Sequence, residues 1–153
     1  MSSALSFQSC LSNDVFEYDI TNTHPLDPEY DGENFWYIKE TEVQEYPWYN
    51  IVDLYVYLSI DWSMFENIDA IKNTNYSIQT LKVDIVDANN NLIKRNIRAV
   101  WNPIFDAFTA SYDFDNSTYS TFDISQYHFQ VQAIYVGSYN GALVEGKVYD
   151  VYL

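Results

Sequence analysis

Between Tyr127 and Ala133 the chain reads Tyr-His-Phe-Gln-Val-Gln-Ala, with apolar and polar side chains in strict alternation. Successive side chains of a β-strand point to opposite faces, whereas a helical face repeats about every 3.6 residues, so this run fits a half-buried strand. Tyr127, Phe129, Val131 and Ala133 are expected to meet a core, and His128, Gln130 and Gln132 to face away from it. The same rhythm puts Val52, Leu54, Val56, Leu58 and Ile60 on one face of a strand that closes at Trp62. It predicts further strands with Leu81, Val83 and Ile85 inward, then Ile93, Ile97, Ala99 and Trp101, then Phe108, Ala110, Tyr112 and Phe114. Asn89 to Asn91 tolerate positive φ and suit a tight connection, and Gly137 to Gly141 reads as a turn before a last strand, Lys147 to Leu153.

The front of the chain is less regular. Residues 1–14 are small and polar and read as a tail or an edge segment; Val15 to Ile20 alternates; Thr21 to Gly32 is broken by His24-Pro25, Asp27-Pro28 and Asp31-Gly32 and reads as a loop. Asn34 to Ile38 and Thr41 to Tyr49 are aromatic and acidic, and Pro47 would remove a ladder hydrogen bond from a central strand, so an arm or edge hairpin is expected. Ser63-Met-Phe-Glu66 has the form of a capping box, and Phe65, Ile68 and Ile71 follow at helical spacing, which predicts one short helical turn. The resulting division is residues 1–50 as an N-terminal arm with edge strands and 51–153 as the β-domain.

Charge narrows the partners. The formal net charge is −15, which argues against direct nucleic-acid binding and against insertion in a membrane, and no apolar run approaches the length of a bilayer span. Lys39 is the one cation before Lys72, while Lys82, Lys94, Arg95 and Arg98 form a basic stretch in the middle of the chain. That asymmetry fits solvated surface, contact between copies of the chain, or steering onto a basic partner. Cys10 is alone, so an intrachain disulfide framework is excluded. The first residues lack the basic and apolar regions of a signal peptide, so none is expected. With 15 tyrosines, the composition suits pleated surfaces first and contact surfaces second.

From Ile51 onward the layout is a strand ending in Trp62, a hairpin, an aromatic strand, Phe122-Asp-Ile, Tyr127-x-Phe-x-Val-x-Ala and a final strand. That layout resembles the immunoglobulin-like and fibronectin type III β-sandwiches. The resemblance covers about residues 51–153, and it implies an all-β antiparallel sandwich with Trp62 against the core and Tyr127 as a corner tyrosine whose hydroxyl bonds nearby backbone. The inter-sheet cysteine pair is missing, and Ser63 to Asn73 is an insertion. A Tyr- and Asn-rich acidic β-domain with an aromatic arm also looks like accessory structural proteins of tailed-phage virions, which implies a virion location after synthesis in the host cytoplasm.

Chemistry-bearing motifs are sparse. Asp27-x-Glu29-x-Asp31-Gly32 opens like a calcium loop, but Ile38 stands where the final ligand should be, so Asp27, Glu29 and Asp31 are a weak metal candidate and no cofactor is expected. His24 and His128 have no Cys, His or Glu at metal-ligand spacing, and no nucleophile, zincin or phosphate-loop motif is present, so no catalytic residue is assigned and an enzyme is not expected. The aromatic clusters Phe35-Trp36-Tyr37 and Tyr46-Pro47-Trp48-Tyr49 carry the functional expectation: docking onto other protein subunits of an assembly. Two alternatives stay open: covering the sandwich's own edge, and stacking on sugar rings through Trp36 or Trp48. An acidic nucleic-acid mimic is a third, opposed by the cations at Lys82, Lys94, Arg95 and Arg98, which interrupt a continuous negative surface.

Overall fold

Seven antiparallel strands carry the alternation, and the computed structural model describes residues 24–65, 75–114 and 121–153. They are β1 (Trp36–Tyr46), β2 (Ile51–Ile60), β3 (Tyr76–Asp87), β4 (Leu92–Asn102), β5 (Ala107–Phe114), β6 (Tyr127–Gly137) and β7 (Leu143–Val151). The order is β1-β2-β5-β4-β3-β6-β7. β4 belongs to two layers: its first part pairs with β3 through Leu92 to Ala99, and its last residues, Val100 to Asn102, pair with Thr109 to Ala107 of β5. One layer is therefore β1-β2-β5 and the other β4-β3-β6-β7. Leu54, Val56 and Ala110 of the first layer face Val83, Ile85 and Phe129 of the second across the same small space, which makes the architecture sandwich-like. It is compatible with the immunoglobulin-like or fibronectin type III-like expectation.

The inward residues follow the alternation. Val52, Leu54, Val56, Leu58, Leu81, Val83, Ile85, Phe108, Ala110, Phe114, Phe129, Val131 and Ala133 are all buried. The β3–β4 turn is closed by Asn90 at φ 63°, and the Asp87 carboxylate accepts from the backbone N–H of Asn89 and Asn91 at 2.9 and 2.8 Å. Those bonds, from Asn91 above all, favour the ionised form and hold the Asp87 pKa below the ordinary carboxylate value.

Four expectations need correction. First, the boundary at residues 50/51 falls inside the β1–β2 hairpin: β1 pairs with β2 from Trp36↔Ile60 to Tyr46↔Ile51, and Tyr30, Phe35 and Trp36 join the core. Second, the core tryptophan is Trp36; Trp62 is half-buried at the start of a 3-10 turn, Trp62–Met64, whose cap is Asp61 instead of Ser63. Residues 66–74, where the rest of the helical turn was expected, lie outside the described residues, as do 1–23, with the alternating Val15 to Ile20. Third, a bulge in β4 breaks its phase. Asn96 adopts φ 59° and donates its backbone N–H to Asp84 Oδ1 at 2.8 Å, so Ile93 turns outward while Ile97 and Ala99 stay in; Trp101, in phase with them and paired with Phe108, is still 49% exposed at the end of the strand. Fourth, the last strand starts at Leu143. Gly146 masks it in the sequence, and a Cβ there would stand 2.7 Å from the Tyr135 ring.

Tyrosine hydroxyls fasten the segment before β1 to the second layer. Tyr135 donates to the Pro25 carbonyl at 2.6 Å, and Tyr149 to the Gly32 carbonyl at 2.9 Å. Burial pushes the Tyr149 pKa up to about 12 and that of Tyr135 higher still. The corner residue Tyr127 is half-buried instead, its ring 5.1 Å from Phe114 and stacked on Phe122 at 5.8 Å.

Candidate functional site

Burial divides the two aromatic clusters. Phe35 and Trp36 are only 2% and 4% exposed: Phe35 packs 5.2 Å from Tyr30 and 5.7 Å from Tyr149, and Trp36 meets Phe108 edge-on at 5.9 Å. Both are core residues and leave the expected docking set, because alternation along β1 aims Trp36 at the second layer. Tyr37 points the other way and is exposed.

The second cluster is the tip of the β1–β2 hairpin. Pro47 occupies the second turn position, where its fixed φ is favourable, and Asn50 takes the left-handed conformation at φ 53°. Tyr49 N–H donates to the Tyr46 carbonyl at 3.0 Å, and Asn50 N–H to the Pro47 carbonyl at 3.3 Å. A doubly bonded turn thus presents Trp48 and Tyr49, which are 94% and 70% exposed, with Tyr46 beside them donating to Gln44 Oε1 at 3.1 Å.

Below the tip, the outer face of β1-β2-β5 is acidic and phenolic. Tyr57 donates to Glu42 Oε1 at 3.0 Å, and its ring stacks on Phe105 at 4.3 Å. Lys39 leans across to the Phe105 carbonyl at 2.8 Å. Asp53 stands directly opposite Asp113 in the β2–β5 register. The hydrogen bond between the two carboxyls, aided by desolvation and like-charge repulsion, raises the Asp53 pKa to about 6, with the neighbouring Tyr46 hydroxyl acting in the opposite sense. A raised acid pKa means that the folded protein holds this proton more tightly than the unfolded chain. The stabilisation is therefore complete below the unfolded value near 3.8 and is lost as pH rises through about 6. Asp53→Asn is expected to raise Tm by about 1–3 °C at pH 7.5 and to leave it unchanged near pH 4, as relief of one like-charge cross-strand pair should do. Thermal melts across that pH range check it, and an equal shift at both ends would contradict it.

The basic stretch does not act as one unit. Lys82 is paired with Glu145 at 2.5 Å and stands opposite Arg98 in the β3–β4 register. Among the described residues, Lys94, Arg95 and Arg98 take part in no ion pair. The loop candidate Asp27, Glu29, Asp31 is not gathered as a ligand set: Asp27 Oδ1 accepts from the Glu29 backbone at 2.8 Å, and the Asp31 carbonyl accepts from Lys147 Nζ at 3.3 Å. Among the described residues no three His, Cys, Asp or Glu side chains are placed to hold a metal ion, and no helix is long and apolar enough to cross a membrane.

On the outer face of β4-β3-β6-β7 lies a groove of about 290 Å³ lined by Asp84, Arg95, His128, Gln130, Asp150 and Tyr152, with Val86, Asn90 and Leu92 completing the lining. His128 faces outward as expected, yet it is buried, because the Tyr152 ring lies flat on it at 4.7 Å. The pattern gave the direction of His128 but not its cover, which comes from beyond the end of β7.

Compared with known protein families, with characterised proteins and with solved structures, the chain matches none.

Proposed function

We propose that this chain is a non-enzymatic binding module of a larger protein assembly, docking a partner subunit through the tip of the β1–β2 hairpin. The exposure of Trp48, 94% on a turn fixed by two backbone hydrogen bonds, is the observation that supports it. A free indole on a rigid turn costs little entropy to bury, and Trp and Tyr dominate the energetics of protein interfaces. The acidic face behind the tip, with Glu42 and Asp53, favours a partner of opposite charge and repels other anions. Kinship with fibronectin type III domains and a place in a tailed-phage particle belong to the same reading, and they rest on the sequence resemblance.

Truncating an interface anchor typically costs about 2 kcal/mol or more, roughly a 30-fold loss of affinity. The chain and its Trp48→Ala/Tyr49→Ala variant, each purified from the native source with its bound proteins, are expected to share one Tm. Quantitative mass spectrometry should find a stoichiometric partner with the first and lose it with the second. Equal recovery of that partner with both would refute docking through the tip.

A further inference from the structure

The groove on the outer face of β4-β3-β6-β7 is built from rows set by the strand register. Asp84 stands opposite Gln130 and Gln130 opposite Asp150, while Val86 stands opposite both His128 and Leu92. The two carboxylates are each anchored through one oxygen. Asp84 Oδ1 accepts from the Asn96 backbone at 2.8 Å, and Asp150 Oδ1 accepts from Gln130 Nε2 at 3.3 Å with His128 Nε2 at 3.5 Å. Among the described residues, the second oxygen of each has no hydrogen-bond donor. Arg95 also lines the groove, and its guanidinium has no acceptor among them either. Two held acceptors and a fork of donors thus flank a space that spans two strand spacings, about 10 Å.

The mixture of groups selects the ligand class. A polyanion would meet Asp84 and Asp150 within a chain of net charge −15, and Arg95 alone does not offset them. A bare cation would lack a third carboxylate and would face Arg95. An apolar ligand would strand the polar walls without partners. A neutral, polyhydroxylated ligand satisfies every group: its hydroxyls donate to the two carboxylates and accept from Arg95. Tyr152 supplies the remaining element. One face of its ring is held against His128, and the residue is still 66% exposed, which leaves ring surface for the C–H face of a sugar.

We propose that this groove is a binding site for neutral saccharides, with Asp84, Asp150 and Arg95 as the hydrogen-bonding groups and Tyr152 as the stacking platform. It moves the glycan expectation away from Trp36 and Trp48 and onto the other sheet, and it is independent of docking through the hairpin tip.

The test is a printed array of neutral, sialylated and sulfated oligosaccharides, followed by calorimetry with the strongest neutral one. Neutral glycans are expected to bind in preference to the charged ones. Arg95→Ala and Tyr152→Ala, both changes at exposed positions, should each weaken binding about tenfold or more, while Trp48→Ala leaves it unchanged. On titration with that oligosaccharide, the Gln130 side-chain amide should shift in the NMR spectrum of the labelled protein. Absence of binding to any neutral oligosaccharide at millimolar concentration overturns the proposal. So does a preference for the charged glycans, or binding that survives both groove variants and falls with Trp48→Ala.

Discussion

A chain shortened to residues 51–153 is expected not to fold. The cut would remove β1, which pairs with β2 along its whole length from Trp36↔Ile60 to Tyr46↔Ile51. It would also remove Tyr30, Phe35 and Trp36 from the core, where their rings touch Tyr149, Phe65 and Phe108 as well as one another. Burying three such side chains contributes roughly 5–9 kcal/mol. Domains of this size have only about 5–15 kcal/mol of net stability, so that loss alone reaches most of the range. The newly bare edge of β2 would in addition offer an apolar strand for unwanted pairing. Far-UV circular dichroism and the dispersion of the proton NMR spectrum are the measurements; a cooperative thermal transition in the shortened chain would show that the first strand is dispensable.

Trp36 carries the second large effect. Trp36→Ala is expected to cost about 3–5 kcal/mol, the usual range for emptying a large aromatic site that cannot collapse fully. The indole Nε1 has no hydrogen-bond partner among the described residues, so Trp36→Phe forfeits volume but no hydrogen bond and should cost less than about 1.5 kcal/mol. Trp48→Ala, at the exposed tip, should stay within about 0.5 kcal/mol. Urea unfolding of the three variants separates them by midpoint at constant slope. Were Trp36→Ala and Trp48→Ala to melt alike, the placement of Trp36 between the layers would be wrong.

The contrast between these tryptophans shows how far the sequence could be read. In β2, β3, β5 and β6 most inward residues drawn from alternation are buried, and Ile60, Tyr112 and Tyr127 pack partly buried against the core. β1 hid its membership in the sandwich because its pairing with β2 slips between Ile38 and Glu40, which moves the inward phase from Trp36 and Ile38 to Thr41 and Val43. A period that changes phase in mid-strand looks like no period at all. The β4 bulge at Asn96 did the same for Ile93. The hairpin tip was legible as a candidate from Pro47 and its aromatic neighbours, since turn chemistry is local. The groove was not legible, because Asp84 of β3 meets Gln130 and Asp150 of the β6–β7 hairpin only through pairing between segments more than 40 residues apart in the chain.

Among the described residues β1 lies at one border of the sheet, and such a border invites neighbouring molecules to add strands and grow into fibrils. Its composition discourages this. Glu40, Glu42 and Glu45 would confront their own counterparts in any copy that approached border to border, and the kink at Lys39 spoils the straight template that growth requires. Crowded side by side at high local density, these molecules can keep their borders apart while the aromatic tip at the end of the same strand stays exposed.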